Sequence, residues 1–247
     1  MKLNGKYAFI TGASSSIGRA IAVALAKEGA FTALTARNKT NLKKTLESVK
    51  KVGGKGTIIP ADLSNSYSLS ALIETITIET EQVDILVNVA GIWHGKEEVY
   101  AGKDFETFSR NVVLNTLNVG IVTPTLLIHA FIPKIPKFGK IINISGTFEN
   151  GAKGWLPYFI SKRAIEDVTV GLAEELKDKQ IQVNAISPSD TATEAYAKYF
   201  PQYMDEAIDP KEIAKFTTYL CSEKANNITG EVFVLKKDKK PYKGYHR

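Results

Sequence analysis

The sequence has few cysteines and histidines and lacks a long apolar run. Its 247 residues include one cysteine and three histidines. One cysteine excludes an internal disulfide and favours a reducing compartment, which we take to be the cytoplasm. The sequence shows no cluster of metal-ligand type and no unbroken apolar run near the roughly 20 residues that span a bilayer. Residues 1–6 lead directly into a predicted strand, so we expect no signal peptide.

The net charge of +6 is concentrated at one end of the chain. Residues 236–247 hold five lysines and one arginine against one aspartate. A basic tail of this kind can bind nucleic acid or an anionic membrane. Because the sequence has no companion basic face or stacking platform elsewhere, we expect a solvated tail, with neither nucleic acid nor membrane as partner.

Short apolar runs alternate with helical patterns along the whole chain. The predicted strands lie near 7–10, 31–35, 57–60, 84–88, 140–144, 182–186 and 231–235. The predicted helices lie near 17–28, 41–51, 66–79, 104–131 and 158–177. Apolar strands that alternate with helices are typical of a parallel sheet covered on both faces. The sequence therefore predicts one α/β domain over 1–235, a doubly wound Rossmann-type sheet of about seven strands, followed by the basic tail.

Four short motifs lie near the carboxyl ends of predicted strands, where ligands bind in doubly wound sheets. They are TGASSSIG at 11–18, NVAG at 88–91, YFISK at 158–162 and PSDTAT at 188–193. In this order, and with these gaps, they resemble the short-chain dehydrogenase/reductase family from end to end. The resemblance implies an oxidoreductase that transfers hydride between a nicotinamide cofactor and a carbonyl or alcohol substrate.

The turn at 11–18 joins a strand to a helix, where backbone N–H groups can meet a pyrophosphate. Gly12 and Gly18 match the outer glycines of the family's signature, whereas Ser16 replaces the middle one. A Cβ at that point crowds the phosphates or alters the turn. The cofactor contacts implied here are Gly12, Ser14, Ser15, Ser16, Ile17 and Gly18.

The end of the second strand carries Arg37 and Asn38 and no carboxylate. An acidic residue there would hold the ribose 2′-hydroxyl of NAD and repel a 2′-phosphate. Arg37 can instead pair with that phosphate, with hydrogen bonds added by Ser14 and Ser15. The sequence therefore favours NADP(H) over NAD(H), although a solvated Arg37 would leave the preference open.

Other segments resemble the rest of the family's cofactor site. Asp62 and Leu63 match the pair that contacts adenine in the family. The motif at 88–91 would lie against the adenine ribose, and the motif at 188–193 would hold the nicotinamide carboxamide. The positions implied are Asp62, Leu63, Asn88, Ala90, Gly91, Pro188, Thr191 and Thr193, together with Tyr158 and Lys162. Val89 and Ser189 replace an asparagine and a glycine of the family pattern.

Tyr158 and Lys162 are four residues apart and share one face of a predicted helix. A free tyrosine has a pKa of about 10, and a nearby ammonium favours the phenolate. The resemblance makes Tyr158 the general acid/base and Lys162 its assistant, also bonded to the nicotinamide ribose. It assigns Asn115 to the asparagine that helps to hold a water for proton relay to the lysine.

The catalytic serine of the family has no unambiguous match. Strand register puts Ser145 at a small-residue position and Gly146 where the hydroxyl belongs, while counting back 13 residues from Tyr158 gives Ser145. A slip of one residue turns a side chain to the other face of a strand. Ser145 is our candidate, with Thr147 or no hydroxyl as alternatives.

Aromatic residues lie where the family builds its substrate pocket. They are Trp93, Trp155, Tyr196, Tyr199, Phe200 and Tyr203, the last four within an expected lid at 194–209. These rings favour an apolar or aromatic carbonyl substrate, with ordinary core packing as the alternative. We also expect a homo-oligomer, a dimer or a tetramer. The rival function is a non-catalytic NADP(H)-binding protein of the same fold, a cofactor sensor.

Overall fold

The computed structural model describes residues 2–148 and 152–246. Its strands form one sheet, in the order β3-β2-β1-β4-β5-β6-β7-β8. They are β1 Tyr7–Thr11, β2 Phe31–Thr35, β3 Lys55–Ile58, β4 Ile85–Asn88, β5 Lys140–Ile144, β6 Gln182–Pro188, β7 Val232–Leu235 and β8 Tyr242–Lys243. Strands β1 to β7 are parallel, which confirms the predicted sheet.

The last strand lies in the basic tail. β8 pairs antiparallel with β7, through Phe233 with Lys243 and Val234 with Tyr242. The side chains of β8 are exposed, in keeping with the expected solvated tail, while the main chain finds hydrogen-bond partners at the open edge of β7.

Helices cover both faces of the sheet. The α-helices are α1 Ser16–Lys27, α2 Lys39–Lys51, α3 Ser66–Glu79, α4 Arg110–Leu117, α5 Thr123–Phe131, α6 Leu156–Glu175, α7 Glu194–Tyr199 and α8 Pro210–Leu220. The predicted helix near 104–131 is interrupted by a π-helix at Asn118–Val122. A 3₁₀ turn at Pro201–Glu206 follows α7 and completes the expected lid.

Neighbouring residues of one strand feed two separate cores. In β1, Phe9 packs into the core beneath α3 and α5, whereas Ile10 packs into the core beneath α1 and α8. Ile141 and Ile142 of β5 divide in the same way. This alternation explains why the strands are apolar at nearly every position and confirms the doubly wound architecture.

One helical stretch, Arg110–Lys134, is long and apolar enough to cross a membrane by length and composition alone. Of its most apolar window, 39% is buried inside the chain. Core helices of water-soluble proteins pass the same test, so this is weak evidence for a membrane span.

Candidate active site

A cleft of about 1240 Å³ lies beyond the carboxyl ends of the parallel strands. Most positions predicted from the motifs line it: Gly12, Ser14, Ser15, Ser16, Ile17, Arg37, Asn38, Asp62, Leu63, Ala90, Gly91, Ser145, Tyr158, Lys162, Pro188, Thr191 and Thr193. Three of the predicted positions, Gly18, Asn88 and Asn115, do not line the cleft.

Two glycines shape the turn between β1 and α1. Gly12 has a φ of 62°, and a Cβ there would lie 2.9 Å from the backbone nitrogen of Ala90. A Cβ on Gly18 would lie 2.3 Å from the carbonyl oxygen of Gly12. Gly18 therefore supports the turn from behind rather than from within the cleft. The turn can approach the backbone of Ala90 this closely because Gly12 has no Cβ.

The Ser15 hydroxyl serves the turn itself. It donates to the carbonyl oxygen of Gly12 at 2.8 Å and accepts from the backbone N–H of Gly18 at 3.1 Å, which makes it the N-cap of α1. The hydroxyl proton is thus engaged, so the predicted bond to a 2′-phosphate does not fit this geometry. Ser14, which also lines the cleft, is the better candidate.

Ser16 is the first residue of α1 and faces the lid. The backbone N–H of Glu194, at the start of α7, donates to its hydroxyl at 3.5 Å. The Glu194 carboxylate also lies 3.7 Å from the guanidinium of Arg19. The residue that replaces the middle glycine therefore touches the segment expected to close over the substrate.

Arg37 and Asp62 lie at the other end of the cleft. Burial acts to raise the pKa of Asp62, but hydrogen bonds from Ser64 and the positive charge of Arg37 outweigh it and lower that pKa. Arg37 is exposed, so its guanidinium is accessible to an anionic ligand.

Asn88 acts behind the cleft. Its side-chain amide donates to Asn143 on β5 at 2.9 Å, and its own oxygen has no hydrogen-bond partner among the described residues. The Thr11 hydroxyl accepts from the N–H groups of Val89 and Ala90. The Thr11 bonds fix the loop that follows β4, and the Asn88 bond ties the start of that loop to β5.

Tyr158 and Lys162 meet beneath this loop. The Lys162 ammonium lies 5.3 Å from the centroid of the Tyr158 ring and donates to the carbonyl oxygen of Ile144 at 2.7 Å. A Cβ on Gly91 would lie 3.2 Å from Lys162 Nζ, so the loop after β4 passes close to the ammonium. The three residues form one contiguous group.

Burial shifts the pKa of Tyr158 and that of Lys162. It lowers the pKa of Lys162 to about 8, against the opposing influence of Glu166, and raises the pKa of Tyr158. The structure therefore does not show the expected lowering of the Tyr158 pKa, because burial of the phenol favours its neutral form.

The Ser145 hydroxyl points to α6 rather than to the reacting group. Its single proton is shared between the Glu166 carboxylate at 2.6 Å and the Lys162 carbonyl oxygen at 2.9 Å, and Ser145 is 2% exposed. The direction of this hydroxyl agrees with the prediction from strand register and not with the 13-residue spacing from Tyr158. Ser145 therefore does not fit the catalytic role that we assigned to it. A Cβ on Gly146 would instead lie 4.0 Å from Lys162 Cγ. Thr147 lies beside the cleft with its hydroxyl 3.4 Å from the Pro188 carbonyl oxygen.

Asn115 also misses the site. It is exposed on α4 and does not line the cleft. Asn118, one turn later, begins the π-helix whose next residue, Val119, lines the cleft. Because π-turns interrupt helices most often at functional sites, Asn118 is the stronger candidate for the family's asparagine.

Aromatic rings form a wall beside Tyr158. The ring centroids of Trp93, Trp155 and Phe200 lie 5.9 to 6.4 Å apart, and Trp155 lies 6.3 Å from Tyr158. Phe148 meets the other side of Tyr158 edge-on at 5.8 Å. We call the three residues Trp93, Trp155 and Phe200 the aromatic wall. Its side chains come from the loop after β4, the start of α6 and the lid, so the predicted aromatic positions converge.

The residues present fit a nicotinamide dinucleotide. The close approach of Gly12 and Ala90 leaves backbone exposed at the start of α1, where a pyrophosphate gains from the helix N-terminus. Exposed Arg37 lies at the far end and Tyr158 with Lys162 at the near end. Within residues 2–148 and 152–246, the structure has no group of three or more His, Cys, Asp or Glu side chains that could hold a metal ion.

Known proteins are similar to the chain over nearly its whole length. The family model described as enoyl-(acyl carrier protein) reductase matches residues 12–237. The 3-oxoacyl-[acyl-carrier-protein] reductase of Aquifex aeolicus is 32% identical over 243 residues, covering 94% of this chain and 96% of the relative. Glucose 1-dehydrogenase 2 of Bacillus subtilis is 30% identical over 240 residues, covering 92% of each.

A solved structure agrees with these relatives. An angucycline C-6 ketoreductase with bound NADP matches with a TM-score of 0.85 at 27% identity, covering 94% of this chain and 95% of that chain. One assignment follows from the matching family model, from the reductases and dehydrogenases among the relatives, and from the shared fold. The chain belongs to the short-chain dehydrogenase/reductase family and is an oxidoreductase acting on alcohol and carbonyl groups.

Proposed function

We propose that the protein is an NADP(H)-dependent reductase of apolar or aromatic carbonyl compounds, with Tyr158 as general acid/base and Lys162 as its assistant. The observation that carries the proposal is the position of Tyr158. Its ring lies between Lys162, Phe148 and the aromatic wall, in the same cleft as the glycine turn.

The chain's own residues would handle the proton. Tyr158 donates its phenolic proton to the substrate oxygen during reduction, and takes it back during oxidation. The Lys162 ammonium stabilises the phenolate that remains. When bound, the nicotinamide cofactor supplies or accepts the hydride.

Arg37 supports NADP(H) rather than NAD(H). Its exposed guanidinium suits a 2′-phosphate, which it can bind through two parallel hydrogen bonds. The angucycline C-6 ketoreductase with bound NADP is a relative with the cofactor that we propose here.

The aromatic wall supports an apolar or aromatic substrate. Trp93, Trp155 and Phe200 present flat apolar surfaces beside Tyr158, and such surfaces favour substrates that bury apolar area or stack. Lid residue Tyr196 adds a further ring 5.2 Å from Phe200. A small hydrophilic carbonyl would leave these surfaces without a partner.

A non-catalytic cofactor sensor is the second candidate. It is favoured by the engagement of the Ser145 hydroxyl with Glu166 and by glycine at position 146. Both functions predict cofactor binding, so turnover separates them. For either function, buried Cys221 suits a reducing compartment, and we place the protein in the cytoplasm.

The deciding experiment combines cofactor binding with turnover. We expect NADPH to quench the fluorescence of Trp93 and Trp155 at much lower concentration than NADH. We expect the wild type to oxidise NADPH with aryl or long-chain ketones, and Tyr158→Phe to lose about 10²–10⁴-fold in kcat while still binding NADPH. Tyr67→Phe, exposed on α3, is the matched control and should keep full activity.

The possible failures have different meanings. Tight NADPH binding without turnover across ketones, aldehydes and alcohols would favour the sensor. Equal affinity for NADH would remove Arg37 as selector. A Tyr158→Phe enzyme with wild-type kcat would overturn the mechanism.

A further inference from the structure

A buried carboxylate lies one helical turn after Lys162. Glu166 on α6 has 0% of its surface exposed, and positions four residues apart on a helix face the same side. An ionised carboxylate out of water is costly unless hydrogen bonds and charges compensate it. The surroundings of Glu166 provide both.

Glu166 accepts hydrogen bonds from three different elements. At one oxygen, Oε1, the Ser145 hydroxyl after β5 donates at 2.6 Å. At the other, Oε2, the Arg163 guanidinium donates at 3.2 Å and the backbone N–H of His246 at 2.8 Å. Both oxygens of the carboxylate therefore have hydrogen-bond donors.

The His246 contact comes from the far end of the chain. β8 pairs with β7, and the backbone N–H of Gly244 donates to the Val232 carbonyl oxygen. The chain then reaches α6, where the Tyr245 hydroxyl donates to the Asp167 carboxylate. The His246 ring nitrogen Nε2 lies 3.0 Å from the same carboxylate. The last residues thus dock on α6 beside Glu166.

The effect of Glu166 on Lys162 has a definite sign. Lys162 is 3% exposed, and burial favours its neutral amine, while the Glu166 carboxylate favours the ammonium. The other titratable or charged groups close to this pair are Tyr158, Arg163, Asp167 and His246. Arg163 pairs with the Glu166 carboxylate, Asp167 binds His246, and Tyr158 lies beside the ammonium.

We propose that Glu166 is a positioning residue that keeps Lys162 in its ammonium form, and that Tyr245 and His246 hold the Glu166 carboxylate in place. As a statement about catalysis this rests on the proposed function, because it matters to turnover only if Lys162 assists Tyr158. The effect of Glu166 on the charge of Lys162 does not depend on that function. Ser145 then acts as a support for Glu166 instead of a substrate ligand.

The test reads the Lys162 charge directly. In protein with ¹³Cε-labelled lysine, the Lys162 resonance is assigned by its loss in Lys162→Met and followed with pH. Glu166→Gln keeps an acceptor for Ser145 but removes the charge, so we expect the midpoint to fall by about half a pH unit or more. If the enzyme is active, the alkaline limb of kcat/KM should move down by a similar amount, because the ammonium is lost at lower pH.

Controls separate this role from a structural one. Glu174→Gln makes the same change on an exposed part of α6 and should leave both midpoints in place. A chain that ends at Gly244 lacks Tyr245 and His246 and should show part of the Glu166→Gln shift. Thermal unfolding reports whether each variant is folded.

The outcomes are decisive in either direction. An unchanged Lys162 midpoint in folded Glu166→Gln would overturn the proposal, whatever the activity. An unchanged midpoint in the chain ending at Gly244 would remove the C-terminal residues from it. Because the resonance needs no turnover, an inactive enzyme with the expected shift would count against the proposed function alone.

Discussion

At the scale of single residues, the site differs from the family pattern mainly in its hydroxyl groups. Ser145 donates to Glu166, Ser15 caps α1, and position 146 carries no side chain. Of the hydroxyls assigned to a ligand, those of Ser15 and Ser145 are therefore engaged within the protein. In the proposed reaction, a hydroxyl at position 146 would give the substrate oxygen a second donor beside Tyr158.

Gly146→Ser should supply that donor. A Cβ at this position would meet Phe148 at 3.8 Å and Lys162 at 4.0 Å, which are ordinary contacts. The added hydroxyl could bond to the substrate oxygen as charge develops, and such donors are worth about 10²–10³-fold in other enzymes. We expect kcat for ketone reduction to rise by at least about tenfold, measured under saturating NADPH.

Gly146→Ala is the control for that variant. It adds the same Cβ without a hydroxyl, so its kcat should stay near the wild-type value. If alanine and serine had equal effects, the hydroxyl would not be the missing element.

The pair Tyr158 and Lys162 was predictable, since the spacing and the place in the strand order can be read from the sequence alone. The direction of the Ser145 side chain was not. It depends on how β5 is placed against α6, and two counting rules differ there by one residue. The choice between Asn115 and Asn118 could not be made from the sequence, because it depends on the π-helix that begins at Asn118 and packs Gly120 against α6.

At the scale of elements, the π-helix is the distinctive feature. It lies between α4 and α5 and places Gly120 against α6 at Ser161, the residue before Lys162. A sequence pattern with period 3.6 cannot reveal an inserted residue, so the long helix was predicted as continuous. Strand β3 was misplaced by two residues because this edge strand is partly exposed and lacks an apolar run.

Gly120→Ala should destabilise the protein. A Cβ there would lie 2.6 Å from the Cβ and the hydroxyl oxygen of Ser161, so α6 or the π-helix must move. Overpacking of this kind costs about 1–3 kcal/mol, which we expect as a lower free energy of unfolding in urea. The same displacement should lower kcat, because Lys162 follows Ser161.

Gly171→Ala on α6 is its counterpart. Nothing lies within 4 Å of a Cβ at that position, and replacing an exposed helical glycine with alanine stabilises by about 0.5–1 kcal/mol. Opposite signs for the two variants would support the packing argument, and equal effects would contradict it.

At the scale of the whole molecule, one apolar surface calls for a partner. Leu114, Val122 and Leu126 are exposed along the helical stretch Arg110–Lys134, and Ile160 is exposed on the neighbouring α6. Exposed apolar side chains on neighbouring helices are typical of an interface when they join into one patch. We propose that a second copy of this chain covers it.

Leu126→Asp should therefore shift the protein toward monomer. Leu126 is 44% exposed, and a carboxylate at the centre of an apolar interface has no partner. Sedimentation velocity at micromolar concentration should show a dimer or larger species for the wild type and a smaller one for the variant. Ile78→Asp, on exposed α3, should leave the wild-type state unchanged. A monomeric wild type would refute the interface.

The borders of the sheet have a consequence for its behaviour at high concentration. One border is β3, four residues that begin with Lys55, and the other is β8, two residues preceded by Lys239 and Lys240. Short border strands with lysines offer another chain little main chain to pair with. Without β8, the border would be the apolar segment of β7. The basic end of the chain thus protects the sheet against aggregation by strand addition.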